Sequence, residues 1–154
     1  MNSAPTLVVF TVEGQRYARP LDVVDRVLPM VEIAPVPDAP GIVLGVVNVH
    51  GNIVPILDVR ARFHLSPRAP DLASRLLVIR TASRVLGVPA DEVLGVRTLA
   101  VDAIASPEGI LPGLGQVAGI ARLHDGVLLI HDPDTFLSVE EDMRLAHALA
   151  EAER

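Results

Sequence analysis

The sequence predicts an all-β chain: two similar subdomains of short strands, built as barrels, followed by one C-terminal helix. Three observations predict it. Runs of Val, Ile and Leu bounded by Gly, Pro and Asp recur throughout, as in short strands joined by tight turns. The chain repeats itself at a spacing of about 70 residues. No long 3.6-residue periodicity occurs before residue 138.

The repeat sets the strand order. "VVFTVEGQRYARPLDVVDRV" (8–27) overlays "LVIRTASRVLGVPADEVLGV" (77–96) at an offset of 69 without a gap. Phe10 meets Ile79, Pro20 meets Pro89, Asp22 meets Asp91 and Val27 meets Val96. Each copy reads as strand, turn, strand, Pro, then a short apolar element. "GVVNVHGNIVPILDV" (45–59) overlays "GIARLHDGVLLIHDP" (119–133) at an offset of 74, with Gly45 on Gly119, His50 on His124 and Asp58 on Asp132. The extra residues fall in "SPEGILPGLGQ", a Pro/Gly-rich loop.

The turns follow from their residues. Gly14 in "EGQ" and the Asp-Gly of "HDGV" mark tight hairpins, and "HGNI" should turn as its copy does. Residues 45–50 and 52–58 are then two strands. Pro55 lacks a donor and belongs at an edge or a bulge. Asp22, Asp25, Asp58, Asp91, Glu92 and Asp132 fall at strand ends and turns, where Asp serves the backbone. At the end of the chain, Ser138 and Glu141 form a capping-box pair. Val139, Met143, Ala146, Leu149 and Ala150 then define one apolar helical face.

Composition excludes several functions. Of 154 residues, 50% are hydrophobic and 21% charged, a globular balance, and the aromatic fraction of 3% leaves the core to aliphatic side chains. Cysteine is absent, so disulfides and thiolate–zinc sites are excluded. A net charge of −6, with 13 basic residues scattered among 19 acidic ones, argues against nucleic acid. The uncharged run 39–57 is long enough to span a bilayer, but Pro40, Pro55, two Asn, a His and three Gly break it, so no membrane insertion is expected. The N-terminus has no basic region before its apolar run and does not read as a signal peptide.

No catalytic, cofactor or metal site is legible. His50 and His124 occupy matching turns of separate subdomains, and "HDPD" (131–134) is a strand end followed by a turn, so three ligands do not converge. "GLGQVAG" (113–119) misses dinucleotide spacing. There is no phosphate-binding loop, zincin motif or nucleophile elbow. The chain is expected not to be an enzyme.

The run "GVVNVHGNIVPILDVRARFHL" after "VPDAPGIVL" resembles the CheW family of bacterial chemosensory coupling proteins. The family pattern is matched at Gly45, Asn48, Gly51, Pro55, Asp58 and Arg60. "DEVLGV" and "VAGIARLHDGVLLIHDPDTFL" resemble the family's second half. The resemblance covers 6–137 as a single domain, with repeat halves 6–64 and 75–137 and a helix over 138–154. It implies two pseudo-symmetric, five-stranded SH3-like barrels and a non-catalytic adaptor without cofactors. The implied partners are the regulatory domain of a CheA-type histidine kinase, the cytoplasmic tip of a chemoreceptor, and other CheW-like proteins. The implied location is cytoplasmic, peripheral to receptor arrays. The implied partner-binding residues are Arg26, Val27, Gly45, Val46, Asn48, His50, Gly51 and Pro55. Two positions depart from the pattern: the family usually has Arg at His50 and an acidic residue at Arg26, so the usual ion pair between these positions cannot form here. From a different class, grooves between apolar barrels also permit a small-molecule-binding protein or an enzyme accessory subunit.

Overall fold

The computed structural model describes residues 5–68, 71–105, 117–131 and 137–152. Eleven strands among them form two sheets. In chain order they are β1 (Thr6–Val12), β2 (Gln15–Pro20), β3 (Val24–Pro29), β4 (Val43–Val49), β5 (Asn52–Leu57), β6 (Arg75–Arg80), β7 (Val85–Ala90), β8 (Glu92–Thr98), β9 (Ile104–Ala105), β10 (Val117–Leu123) and β11 (Gly126–His131). A short helix α1 (Val59–Arg62) follows β5, and helix α2 (Val139–Ala152) follows β11. The six-stranded sheet runs β8-β1-β2-β11-β10-β9 and the five-stranded sheet runs β3-β6-β7-β5-β4. The sixth strand, β9, is the one addition to the expected five. Its counterpart in the other sheet is a single bridge between Ala34 and Val46.

The duplication holds strand by strand. An offset of 69 carries β1, β2 and β3 onto β6, β7 and β8, and an offset of 74 carries β4 and β5 onto β10 and β11. Even the bulges repeat. Asp25 and Leu94 are the extra residues of β3 and β8, and Leu44 and Ala118 those of β4 and β10. Yet the sheets do not follow the repeat halves. The hairpin β1–β2 of the first half sits in the sheet of β8, β10 and β11, while β6–β7 of the second half sits with β3, β4 and β5. The two halves exchange their first hairpins.

The exchange explains the composition of those hairpins. Leu7 and Val9 face the core of one sheet, with Ala18, Ala121, Leu128 and Ile130. Leu76 and Val78 face the other, with Val47, Val54 and Ile56. The alternate residues Val8, Phe10, Val12, Leu77, Ile79, Leu86 and Val88 meet in a third core between the sheets. A strand buried on both faces needs an unbroken apolar run rather than alternation. "LVVF" and "LLVI" are such runs.

Helix α2 packs on this central core, but not with the predicted face. Leu145 and Ala148 are buried, whereas Val139 and Met143 are 79% and 67% exposed. Ala146 and Ala150 are exposed as well, and only Leu149 of the predicted set contributes to packing. Ion pairs fix the rotation. Arg62 Nη2 lies 2.6 Å from Glu141, and Arg84 Nε lies 2.7 Å from Asp142. The capping box forms as expected: Glu141 N donates to Ser138 Oγ at 3.0 Å, and Ser138 N donates to Glu141 Oε1 at 2.9 Å. No helix of the described residues is long and apolar enough to cross a membrane.

Candidate functional site

The β4–β5 hairpin is built around a two-residue turn. Val49 pairs with Asn52, leaving His50 and Gly51 as the corner. Their φ values of 50° and 88° are both positive, the type I′ geometry whose twist suits a hairpin. Gly51 tolerates this conformation, and His50 adopts it because the corner is pinned: Gly51 N donates to Asn48 Oδ1 at 2.7 Å. The copy turns at the same place with different geometry. At "HDGV" the positive φ falls on Gly126 after the corner, not on His124 or Asp125.

Pro55 is not on an edge strand, since β5 lies between β7 and β4. It pairs with Val46. The turn makes Val49 and Asn52 the closing hydrogen-bonded pair, and alternation then places Pro55 in a non-bonded pair. Its missing N–H is therefore not needed in that ladder. Gly45 is set by packing. A Cβ there would lie 2.3 Å from the carbonyl oxygen of Ala34 and 2.7 Å from Ile33, and its copy Gly119 would meet Ile104 at 2.7 Å.

Among the described residues, strand β3 bonds only to β6, leaving its other edge open. Its bulge turns two consecutive charged residues, Asp25 and Arg26, toward the hairpin. Arg26 Nε donates to Asp25 Oδ2 at 3.0 Å, and Arg80 Nη2 donates to Asp25 Oδ1 at 2.8 Å. Hydrogen bonds from Arg26 and then Arg80 hold the Asp25 carboxyl below the usual carboxylate range.

Between the bulge, the hairpin tip, the start of β7 and helix α2 lies a groove of about 340 Å³. It brings together Arg26, His50 and Pro55 from the predicted set. Val27 is exposed on β3 but does not line the groove: it pairs with Leu77 of the central core, whereas Arg26 pairs with Val78 on the groove side. Gly45, Val46, Asn48 and Gly51 do not line it. They shape and hold the hairpin that does. Sequence reasoning missed the other walls, which include Asp25, Ile53, Arg84, Val85 and Leu149. A bulge leaves no mark in one strand's alternation, so Asp25 had no signal beyond its place next to Arg26. The acidic charge absent at Arg26 is thus present one residue away, already paired.

Chemistry beyond binding finds little support. Among the described residues, no group of three or more His, Asp or Glu is placed to hold a metal. His50, His64, His124 and His147 are exposed at separate points of the chain. His131 is fully buried and packs against Phe10, Tyr17 and Phe63. The rest of "HDPD", most of "GLGQVAG" and the loop "SPEGILPGLGQ" lie outside the described residues. Each sheet carries its own cluster of buried apolar side chains.

Comparison with known proteins places the chain. The CheW-like domain model matches residues 6–141. The chain is 24% identical over 147 residues to chemotaxis protein CheW of Treponema pallidum, covering 92% of this chain and 86% of that protein. It is 26% identical over 136 residues to CheW of Klebsiella aerogenes, covering 87% and 82%. The crystal structure of scaffolding protein TtCheW from Thermoanaerobacter tengcongensis superposes with a TM-score of 0.81 at 24% identity, covering 92% of both chains. With a match that runs through both sheets and into α2, the chain belongs to the CheW-like family of chemotaxis coupling adaptors.

Proposed function

We propose that the chain works as a non-catalytic bridge between a chemoreceptor and a CheA-type histidine kinase, with the β3–hairpin groove as one of its contact surfaces. The single observation that carries this reading is the family match over residues 6–141. The receptor contributes its cytoplasmic tip and the kinase its regulatory domain. Other CheW-like proteins are further neighbours in a receptor array at the cytoplasmic face. Arg26, Val27, His50 and Pro55 make contact, while Gly45, Val46, Asn48 and Gly51 keep the hairpin in shape. The pinned turn supports a docking role, since a preformed surface loses little entropy on binding.

Each contact can be weak on its own, because a lattice raises effective concentration. The test is direct. The purified chain is titrated with the receptor-tip fragment and the kinase regulatory domain encoded in the same genome. Binding of at least one at tens of micromolar, about −6 kcal/mol, is expected. Failure of both to bind at that level would remove the adaptor reading.

A further inference from the structure

We infer that the groove at Arg26 and His50 takes an acidic segment of a partner protein: an extended stretch with a carboxylate flanked by apolar side chains. This rests on the adaptor reading only for the partner's identity. The charge pattern of the groove carries the rest.

The chain as a whole is acidic, at −6. The groove and its rim are the reverse. Arg26 and Arg84 line it beside His50, and Arg80 stands at the rim through its bond to Asp25. Among the described residues the lining holds one acid, Asp25, and both of its oxygens are engaged, one by Arg26 and one by Arg80. Arg84 is committed to Asp142 on α2. Arg26 is not saturated. Only its Nε is used, its side chain is 43% exposed, and its two terminal nitrogens make no hydrogen bond among the described residues. A guanidinium with both terminal nitrogens open is suited to a carboxylate. Asp25 strengthens this role by fixing the orientation of Arg26 through Nε.

The surroundings supply the apolar half of the match. Ile53 is 50% exposed and Val85 38%, and both line the groove. A partner with a basic residue opposite Arg26 would bury like charges, which costs affinity and excludes it. The departure from the family pattern therefore changes which partner the groove accepts. It does not abolish the contact.

The test has two arms. In the first, an isotope-labelled sample of the intact chain is titrated with an extended peptide of alternating Leu and Glu, then with its Leu–Lys counterpart, and backbone amide shifts are followed. Shifts at Arg26, His50 and Val85 with the acidic peptide alone are expected, and they should vanish in Arg26→Glu. Equal response to both peptides, or shifts only elsewhere, overturns the proposal. Displacement of the acidic peptide by equimolar inorganic phosphate also overturns it, since the groove would then be a simple anion site. In the second arm, the receptor-tip fragment and kinase domain are titrated into wild type, Arg26→Gln and Arg26→Glu, each checked for an unchanged thermal transition. Arg26→Glu should weaken one of the two about tenfold, or about 1.4 kcal/mol, with Arg26→Gln in between. Tighter binding by Arg26→Glu, or by Arg26→Glu with His50→Arg, overturns the proposal and leaves the adaptor reading intact. If neither partner binds wild type while the acidic peptide still does, the adaptor reading falls and the acidic-segment site stands.

Discussion

Arg60 is where one side chain ties the exchanged hairpins together. It is buried at the start of α1, yet its guanidinium bonds to Glu13 at the β1–β2 turn and, at 3.1 Å, to both oxygens of Asp91 between β7 and β8. Asp91 also accepts from Glu13 N at 2.9 Å. The family motif contains Arg60, but the local pattern around Asp91 suggests only a backbone role for it. No local pattern reports that a turn of one sheet closes over the helix of the other. Both carboxylates are partly exposed, so solvent offsets some of the loss when the guanidinium goes. Arg60→Ala should destabilise the chain by about 1.5–3 kcal/mol, read as a lower urea midpoint. His131 gives a second residue-scale expectation. Burial, and then Arg19 on β2, push its pKa well below the ordinary imidazole value. Tyr17, on the same strand as Arg19, faces it as well. Above pH about 6.5 the imidazole is neutral in both states and its contribution to stability is complete. As pH falls below that value, the unfolded chain takes up a proton that the folded chain refuses. Stability then declines by up to about 1.4 kcal/mol per pH unit until the folded pKa is reached. His131→Phe keeps a ring beside Phe10, Tyr17 and Phe63, and unfolding measured between pH 7.5 and 5.5 should show a shallower decline than wild type.

At the scale of elements, the hairpin was legible because its signal is local. His50-Gly51 between apolar runs specifies a two-residue turn, and the copy turns at the matching residues His124 and Asp125 with different geometry. Helix α2 shows the opposite case. Its start and cap could be read, since a capping box needs only four consecutive residues. Its buried face could not. Val139, Met143, Ala146 and Ala150 make a plausible stripe, but Leu145, Ala148 and Leu149 make another, and the ion pairs of Arg62 and Arg84 select the second. Those arginines lie far away in sequence. The distinction is measurable. Leu145→Ala, at a fully buried side chain, should cost about 2–5 kcal/mol, whereas Met143→Ala should change stability by about 0.5 kcal/mol or less. Chemical denaturation of the two variants checks it, and equal losses would contradict the observed rotation. The glycines follow the same division. Gly51 was identifiable from its turn. The need for Gly45 comes from Ala34 and Ile33 pressing on β4 across a loop. Gly45→Ala should therefore disturb the sheet by more than the roughly 1 kcal/mol of an ordinary backbone effect.

For the whole molecule, the repeat in the sequence and the division in space are different partitions of the same chain. The repeat was readable because duplication keeps residue identities in order. The exchange was not, because β1–β2 would satisfy local pattern and turn chemistry in either sheet. What decides between them is the third core. Phe10, Val12, Leu77, Ile79, Leu86 and Val88 can be buried only if the central hairpins of the two halves lie against each other. It follows that neither half is self-sufficient. A fragment of residues 1–68 has β3, β4 and β5 but lacks the β6–β7 hairpin that pairs with them. It retains β1–β2, one face of which would lie bare against water. Taking the place of the missing hairpin is open to β1–β2 of a second copy, the route of domain swapping. The isolated fragment should therefore be unfolded or dimeric, but not a folded monomer. Fragment 69–154 should behave likewise. Mixed at equal concentration, the two should recover a cooperative unfolding transition and a one-to-one complex. Circular dichroism with light scattering after size exclusion reads both properties. A stable monomeric fold of 1–68 alone would mean that the exchanged hairpins are dispensable, and that the central core does not hold the molecule together.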